Sequence, residues 1–494
     1  MGDAADSSSS KPLRIMIVGD SITHGSEGDY TWRYRIWEWF QTAASSQPIT
    51  FVGPYTGTGP PDEYKPPQPP RFPDEPEPPP RDCTTGGYNE SIHASFQRAH
   101  FAHTGRAVFQ AKDAIQEQVT NLNPDLLLVL LGFNDMGWGF SDHIGTLENT
   151  LAFIANARLA RPKIDIALSN VPQRSPIPGR EDLVDWTNKY NNLLKHAIKA
   201  DRLDHLSRSS RLELVDVASV YGWTPDECTG AFDGLHPNEL GEFQIASAFS
   251  TVLHKSFNIG TAPLSIPRSS KIPKRPLHSP TNPACTGVPW GIHFSWDPVY
   301  GSRGYDVRSR CAGQDEWEES HHGECGIDNT FTPAGQEWEF QVRAKVGVEE
   351  KDKSDWSAIA KGTATRSTAP PPENREVFSR GKDGIEVTFT PLPNDSKFEV
   401  ERYAVNWVDE TAGGFLGGQG VRVGAGGRAE NRGRCVVQGL EVGHRYQVWV
   451  STWTKREGGG VFGGAGKVVV GSGVFSRPEG LSGELERLSL EGGR

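Results

Sequence analysis

Three things are scarce in this sequence. It holds six cysteines among 494 residues, too few for a disulfide scaffold, and no CxxC or His/Cys cluster of the kind that binds zinc. No uncharged apolar run approaches the roughly 20 residues that cross a bilayer, which excludes a membrane-spanning helix. Positive charge is in the minority: 51 Lys and Arg face 62 Asp and Glu, for a net charge of −11. That is the wrong sign for a general nucleic-acid binder. The first residues, MGDAADSSSSKPLRIM, show no basic stretch followed by an apolar one. They therefore read as cytoplasmic, with an extracellular destination requiring a different start. Asp6 stands where a myristoylation motif wants Ser or Thr. Glycine (55) and proline (36) are plentiful instead, and both are unevenly placed. At about 150 residues per domain, the length suggests three domains.

Residues 1–12 are a polar leader, expected to be disordered. From Leu13 the chain alternates strands and helices. LRIMIV (13–18) reads as a buried strand ending in Gly19-Asp20, and Trp32, Ile36, Trp39 and Phe40 recur at helical spacing. Helices are expected at 110–119, 147–158, 183–200 and 241–255, and strands at 125–131, 164–169 and 212–217. The run DLLLVLL (125–131) is apolar throughout, as a central parallel strand covered on both faces would be. This alternation predicts a three-layer α/β/α domain with a parallel sheet over residues 13–258. An insert at 54–81 interrupts it, with eleven prolines between Pro60 and Pro80. It is expected to be a solvated surface loop of polyproline character, or a ligand for a proline-reading partner.

A Pro/Ser/Lys linker follows at 259–283, and beyond it the helical patterns stop. Ile292, Phe294 and Trp296 alternate, as do Trp338, Phe340 and Val342. A second unit repeats the style with Ile385, Val387 and Phe389, then Tyr446, Val448 and Val450. Two all-β sandwiches are expected, at 284–366 and 367–478, with a tail at 479–494. Leu440 and Tyr446 look like a tyrosine corner. Glycine-rich stretches at 413–427 and 457–466 read as long hairpin loops. These units resemble fibronectin type III domains, through Trp296, Tyr305, WEFQVRAKV, YQVWVSTW and DWS (355–357). Cys311 with Cys325, and Cys83 with Cys228, are candidate pairs whose bonding spacing alone cannot establish.

Chemistry concentrates in the α/β domain. Gly19-Asp20-Ser21 follows the first strand, so Ser21 sits at the carboxyl edge of the sheet, where open α/β folds bind ligands. Asn134 follows the 125–131 strand in Gly132-Phe133-Asn134-Asp135, and its amide can donate to an oxyanion. In Asp233-Gly-Leu-His236-Pro237 an acid three residues before a histidine can orient the imidazole. Taken singly, each is as easily ordinary: a turn with an N-cap, a turn after a strand, an incidental surface pair. Together, and in this order, they resemble the SGNH (GDSL-type) hydrolase superfamily, in the blocks GDSIT (19–23), GFND (132–135) and DGLHP (233–237).

The resemblance implies a flavodoxin-like hydrolase domain and a serine esterase that needs no metal or organic cofactor. Ser21 would be the nucleophile, His236 the general base and Asp233 its orienting acid. The oxyanion hole would be the backbone N–H groups of Ser21 and Gly105 with the Asn134 side chain. Gly105 is assigned from HFAHTGR (100–106), although Ala102 fills a position where the family often has a second glycine. Trp138 and His24 are candidate substrate contacts; core packing is the ordinary reading of Trp138. His103 is a further candidate for lining the cleft. Asp20 and Asp135 are expected to brace the loops. PLRIMIVGDSIT (12–23) resembles microbial acetyl-xylan-esterase-like members, which suggests acetyl esters, on carbohydrates among other substrates. Lipase or thioesterase action is the enzymatic alternative. The other is a non-catalytic adhesion protein that binds polysaccharide or protein through its sandwiches or its proline-rich loop.

Overall fold

The computed structural model describes residues 11–471, apart from 80, 82, 205–209, 225–227, 331, 367, 394–396, 415, 423–431 and 456–461. Most of the leader, the 479–494 tail and parts of both glycine-rich stretches lie outside the described residues.

The first half is built on a parallel sheet of β1 (Leu13–Gly19), β2 (Ile49–Phe51), β3 (Phe101–Ala102), β4 (Leu126–Leu130), β5 (Asp165–Ser169) and β6 (Leu212–Val215). Its order is β2-β1-β4-β5-β6, and the two-residue β3 pairs with β1 at Val18↔Phe101 and Gly19↔Ala102. Residues Ile15–Val18 and Leu126–Leu130 are buried on both faces. Each such side chain contributes about 1.5–3 kcal/mol by leaving water. The helices are α1 (Ser21–His24), α2 (Trp32–Gln41), α3 (Val108–Leu122), α4 (Phe133–Gly137), α5 (His143–Ala160), α6 (Asp182–Asp204) and α7 (Glu239–Phe257). Helices α2 and α7 pack together, and α3, α5 and α6 pack in sequence. Right-handed crossovers set these two groups on opposite faces of the sheet. The strand order reverses between β1 and β4, and this is where a doubly wound sheet opens a crevice at its carboxyl edge.

The second half is two antiparallel sandwiches. The first comprises β7 (Ala284–Val288), β8 (Gly291–Ser295), β9 (Tyr305–Cys311), β10 (Glu318–His322), β11 (Gly326–Asn329), β12 (Glu337–Ala344) and β13 (Ala360–Thr363). The second comprises β14 (Glu373–Arg380), β15 (Gly384–Thr390), β16 (Val400–Asp409), β17 (Gly417–Arg422), β18 (Gly433–Val437), β19 (Arg445–Thr454) and β20 (Gly463–Val469). Each pairs a four-stranded with a three-stranded sheet, and the alternating apolar residues close between them. Glu441 N donates to Tyr446 Oη (3.1 Å), tying the end of the second sandwich to nearby backbone. Among the described residues no disulfide joins Cys311 to Cys325 or Cys83 to Cys228; Cys325 Sγ instead meets Tyr305 Oη (3.4 Å).

Two expectations are corrected. The glycine-rich stretches are not simply loops, because 417–422 and 463–469 are strands β17 and β20. The proline-rich insert is an irregular surface loop with most of its residues exposed, as expected, but it is not a free excursion, because it lies across both sandwiches as a strap. Tyr64 Oη donates to Asp328 (2.8 Å), and its ring meets His293 at 4.4 Å. Farther on, Gly420 N donates to Arg71 O (2.7 Å) and Arg402 pairs with Glu75 (2.8 Å). The Phe72 ring lies against the guanidiniums of both Arg402 and Arg422, at 4.1 and 4.3 Å. The β17 glycines explain themselves here: a Cβ on Gly418 would stand 2.9 Å from Pro70 Cγ.

Candidate active site

Strand β1 ends at Gly19, and Ser21 is the first residue of α1. Asp20 caps that helix, its Oδ1 accepting from Ile22 N (2.9 Å). Burial pushes the Asp20 carboxyl up to about 7, against the pull of that N–H and of nearby His236.

The loop before α7 brings the other partners. Asp233 Oδ1 accepts the backbone N–H groups of Leu235 (3.0 Å) and His236 (2.8 Å), which folds DGLH into a tight turn. Asp233 Oδ2 stands 2.7 Å from His236 Nδ1, and His236 Nε2 stands 2.9 Å from Ser21 Oγ. Residues 215 positions apart are thus linked in one chain of hydrogen bonds. Burial raises the Asp233 carboxyl, but the histidine and the two N–H groups outweigh it and bring it down to about 2. An ionised Asp233 holds the proton on Nδ1 and leaves the Nε2 lone pair free to accept from Ser21. This arrangement can move a proton from the serine hydroxyl to the imidazole.

The β3 register sets the loop holding Gly105 beside the end of β1, where His103 N donates to Gly19 O (3.1 Å). Gly105 has φ +77° with open space around its Cβ position, so backbone conformation rather than crowding favours glycine. Asn134, in α4 after β4, donates Nδ2 to Arg106 O (3.1 Å), one residue from Gly105. Trp138 Nε1 donates to Asn134 Oδ1 (3.1 Å), so the two bonds together orient the amide. The neighbouring Asp135 accepts from Val108 N (2.6 Å) and Phe109 N (2.9 Å), pinning the start of α3 to α4.

One candidate contact and one ordinary reading are corrected. His24 is fully buried, with Nδ1 3.0 Å from Thr104 Oγ1, so it supports the Gly105 loop and does not face a substrate. The core reading of Trp138 gives way too: it is 71% exposed, and Phe109 and Phe140 are exposed alongside α3 and α4. His103, stacked on His24, is partly exposed. Sequence reasoning missed the Trp138–Asn134 bond, although their separation of four residues is the helical signal for it. It also missed Phe232, whose ring stacks at 5.9 Å on His236.

Residues 74–242 match the model of the GDSL-like Lipase/Acylhydrolase family. The match takes in Gly105, Asn134, Asp233 and His236, while Ser21 precedes it. No curated protein matches the chain. Among solved structures, a carbohydrate esterase family 3 protein from Talaromyces cellulolyticus is similar at 22% identity over 48% of this chain and 94% of that one, with a TM-score of 0.35. A Clostridium thermocellum family 3 carbohydrate esterase is similar at 18% identity over 48% and 94%, with a TM-score of 0.32. A two-domain fibronectin type III segment of chicken tenascin is similar at 17% identity over 39% and 100%, with a TM-score of 0.17. Residues 74–242 therefore form a GDSL-like lipase/acylhydrolase domain, which sets this chain among the carboxylic ester hydrolases.

Proposed function

We propose that the chain is a serine esterase that cleaves short-acyl oxygen esters, acetyl esters of carbohydrates being the class favoured, through Ser21, His236 and Asp233. The observation that carries this reading is the unbroken relay from Asp233 through His236 to Ser21 Oγ. Ser21 Oγ attacks the ester carbonyl carbon while His236 Nε2 takes its proton. The carbonyl oxygen becomes an oxyanion, met by the N–H groups of Ser21 and Gly105 and by Asn134 Nδ2. As the tetrahedral species collapses, the C–O bond to the alcohol breaks and His236 returns the proton to the leaving oxygen. Water, activated by the same histidine, then attacks the acyl-serine, and the acid departs.

Two features support the carbohydrate part. Residues 12–23 resemble acetyl-xylan-esterase-like sequences, and an exposed tryptophan beside the oxyanion asparagine offers a flat apolar face on which a sugar ring can rest. Hydrolysis of p-nitrophenyl acetate tests the chemistry: Ser21→Ala is expected to lower the rate by about 10³-fold or more. Equal rates for the two proteins would refute the reading. Acetylated xylo-oligosaccharides assayed against long-chain acyl esters then test the substrate class, with preference for the long chains refuting the acetyl assignment.

A further inference from the structure

The turn between β8 and β9 of the first sandwich is seated on the α/β domain. Tyr300 Oη donates to Tyr88 O (2.5 Å). A Cβ on Gly28 would lie 2.5 Å from Gly301 Cα, so this pair of glycines lets two backbones touch. Arg275, from the connecting segment, is buried there and pairs with Asp29, donating also to the carbonyls of Glu27 and Gly301. Arg303 lies beside it, with 4% of its side chain exposed. Its Nη2 donates to Asp29 Oδ1 (2.8 Å) and to Pro237 O (3.3 Å). Its guanidinium carbon stands 3.5 Å from the centre of the Phe232 ring.

Asp29 and Pro237 belong to the two sides of the Ser21–His236 pair. Asp29 closes the loop that follows α1, accepting from Ser26 N (2.6 Å), and Ser21 opens that same helix. Pro237 follows His236 directly, and the Phe232 ring meets both the Arg303 guanidinium and the His236 ring. One guanidinium from the sandwich thus bonds to the loop behind the serine and to the loop that carries the histidine. Docking of the sandwich alone does not call for the second bond, since Arg275 already pairs with Asp29. A buried guanidinium persists only where its partners compensate for lost water, and here those partners are the two loops.

We propose that Arg303 is a positioning residue for the hydrolytic site, holding the Ser21 and His236 loops at a fixed separation, so that the first sandwich is a working part of the active site and not a spacer. The proposal rests on the reading of Ser21 and His236 as nucleophile and base. A displacement of about 1 Å between reacting groups can cost 10²-fold in rate.

The test compares Arg303→Met, Arg303→Lys and Arg275→Met in the full chain, reading kcat, KM and melting temperature, with p-nitrophenyl acetate as substrate and Ser21→Ala as the blank. Arg303→Met is expected to lower kcat by about 10- to 100-fold with KM nearly unchanged. Arg303→Lys is expected to restore part of the loss, and Arg275→Met to move melting more than kcat. A kcat for Arg303→Met within about twofold of wild type overturns the proposal, and so does an equal loss in Arg275→Met. Should Arg303→Met fail to fold, Arg303→Gln gives the same reading: a lowered kcat with KM nearly unchanged supports the proposal, and an unchanged kcat overturns it. A wild type no faster than Ser21→Ala refutes the esterase reading itself, an outcome visible before any Arg303 variant is assayed.

Discussion

The Asn134 amide has an accepting end and a donating end, and its neighbours decide which one a substrate meets. Trp138 Nε1 occupies the oxygen and Arg106 O takes one N–H, which leaves the second N–H to point elsewhere. Asn134→Ala removes that donor and is expected to lower kcat by about 10²–10³-fold. Trp138→Phe keeps a ring but releases the amide, and a loss of about 3- to 10-fold is expected, the worth of one ordinary hydrogen bond. Saturation kinetics on p-nitrophenyl acetate measure both. The GDS, ND and DGLH spacings pointed to the residues that stand at this site because each motif ends a strand or opens a helix, which is local information. The fate of His24 was not legible: burial depends on what packs over a residue, and here that is the loop around Thr104.

Helix α3 begins at Ala107–Val108, where no side chain of its own caps the first turn, apart from Gln110 Oε1 reaching back to Ala107 N (3.1 Å). Asp135 supplies the missing acceptors from across the sheet edge, placing a carboxylate on the positive end of the helix. Burial nonetheless raises its carboxyl above the usual range. Asp135→Ala leaves two N–H groups unmet and is expected to cost about 2 kcal/mol, or roughly 4–8 °C in melting temperature. Calorimetry checks this. Helix α7 could be read from the sequence because its pattern runs over 19 residues, and β4 because its five residues form an unbroken apolar run. The two-residue β3 could not, since a period needs more than one repeat to show. The glycines of β17 masked a strand for another reason: strand preference measures side-chain packing, and here the packing partner is the backbone of a distant proline segment.

At the scale of the molecule, the division into an α/β half and two sandwiches was visible as a change of period near residue 284. The strap was not. Proline content says that 60–80 has few internal hydrogen bonds, but not that Arg71 meets Gly420 or that Phe72 is gripped by two arginines. Phe72→Ala is expected to loosen the strap by about 1–2 kcal/mol, and so to speed tryptic cleavage after Arg71 about tenfold, since cutting tracks the open population. Mass spectrometry of timed digests would measure it, and an unchanged rate would show that the ring does not hold the strap.

The strap has a mechanical consequence. The sandwich pair is moored to the first domain covalently through 259–283, and non-covalently both through 62–75 and through the seat of Tyr300, Arg275 and Arg303, so the tethers share any load as parallel springs. Breaking one leaves the others to hold the pieces at high effective concentration, from which the broken contact re-forms. The spacing of the halves is then set by these seats and not by the length of the covalent tether, whose own Arg275 is buried in one of them.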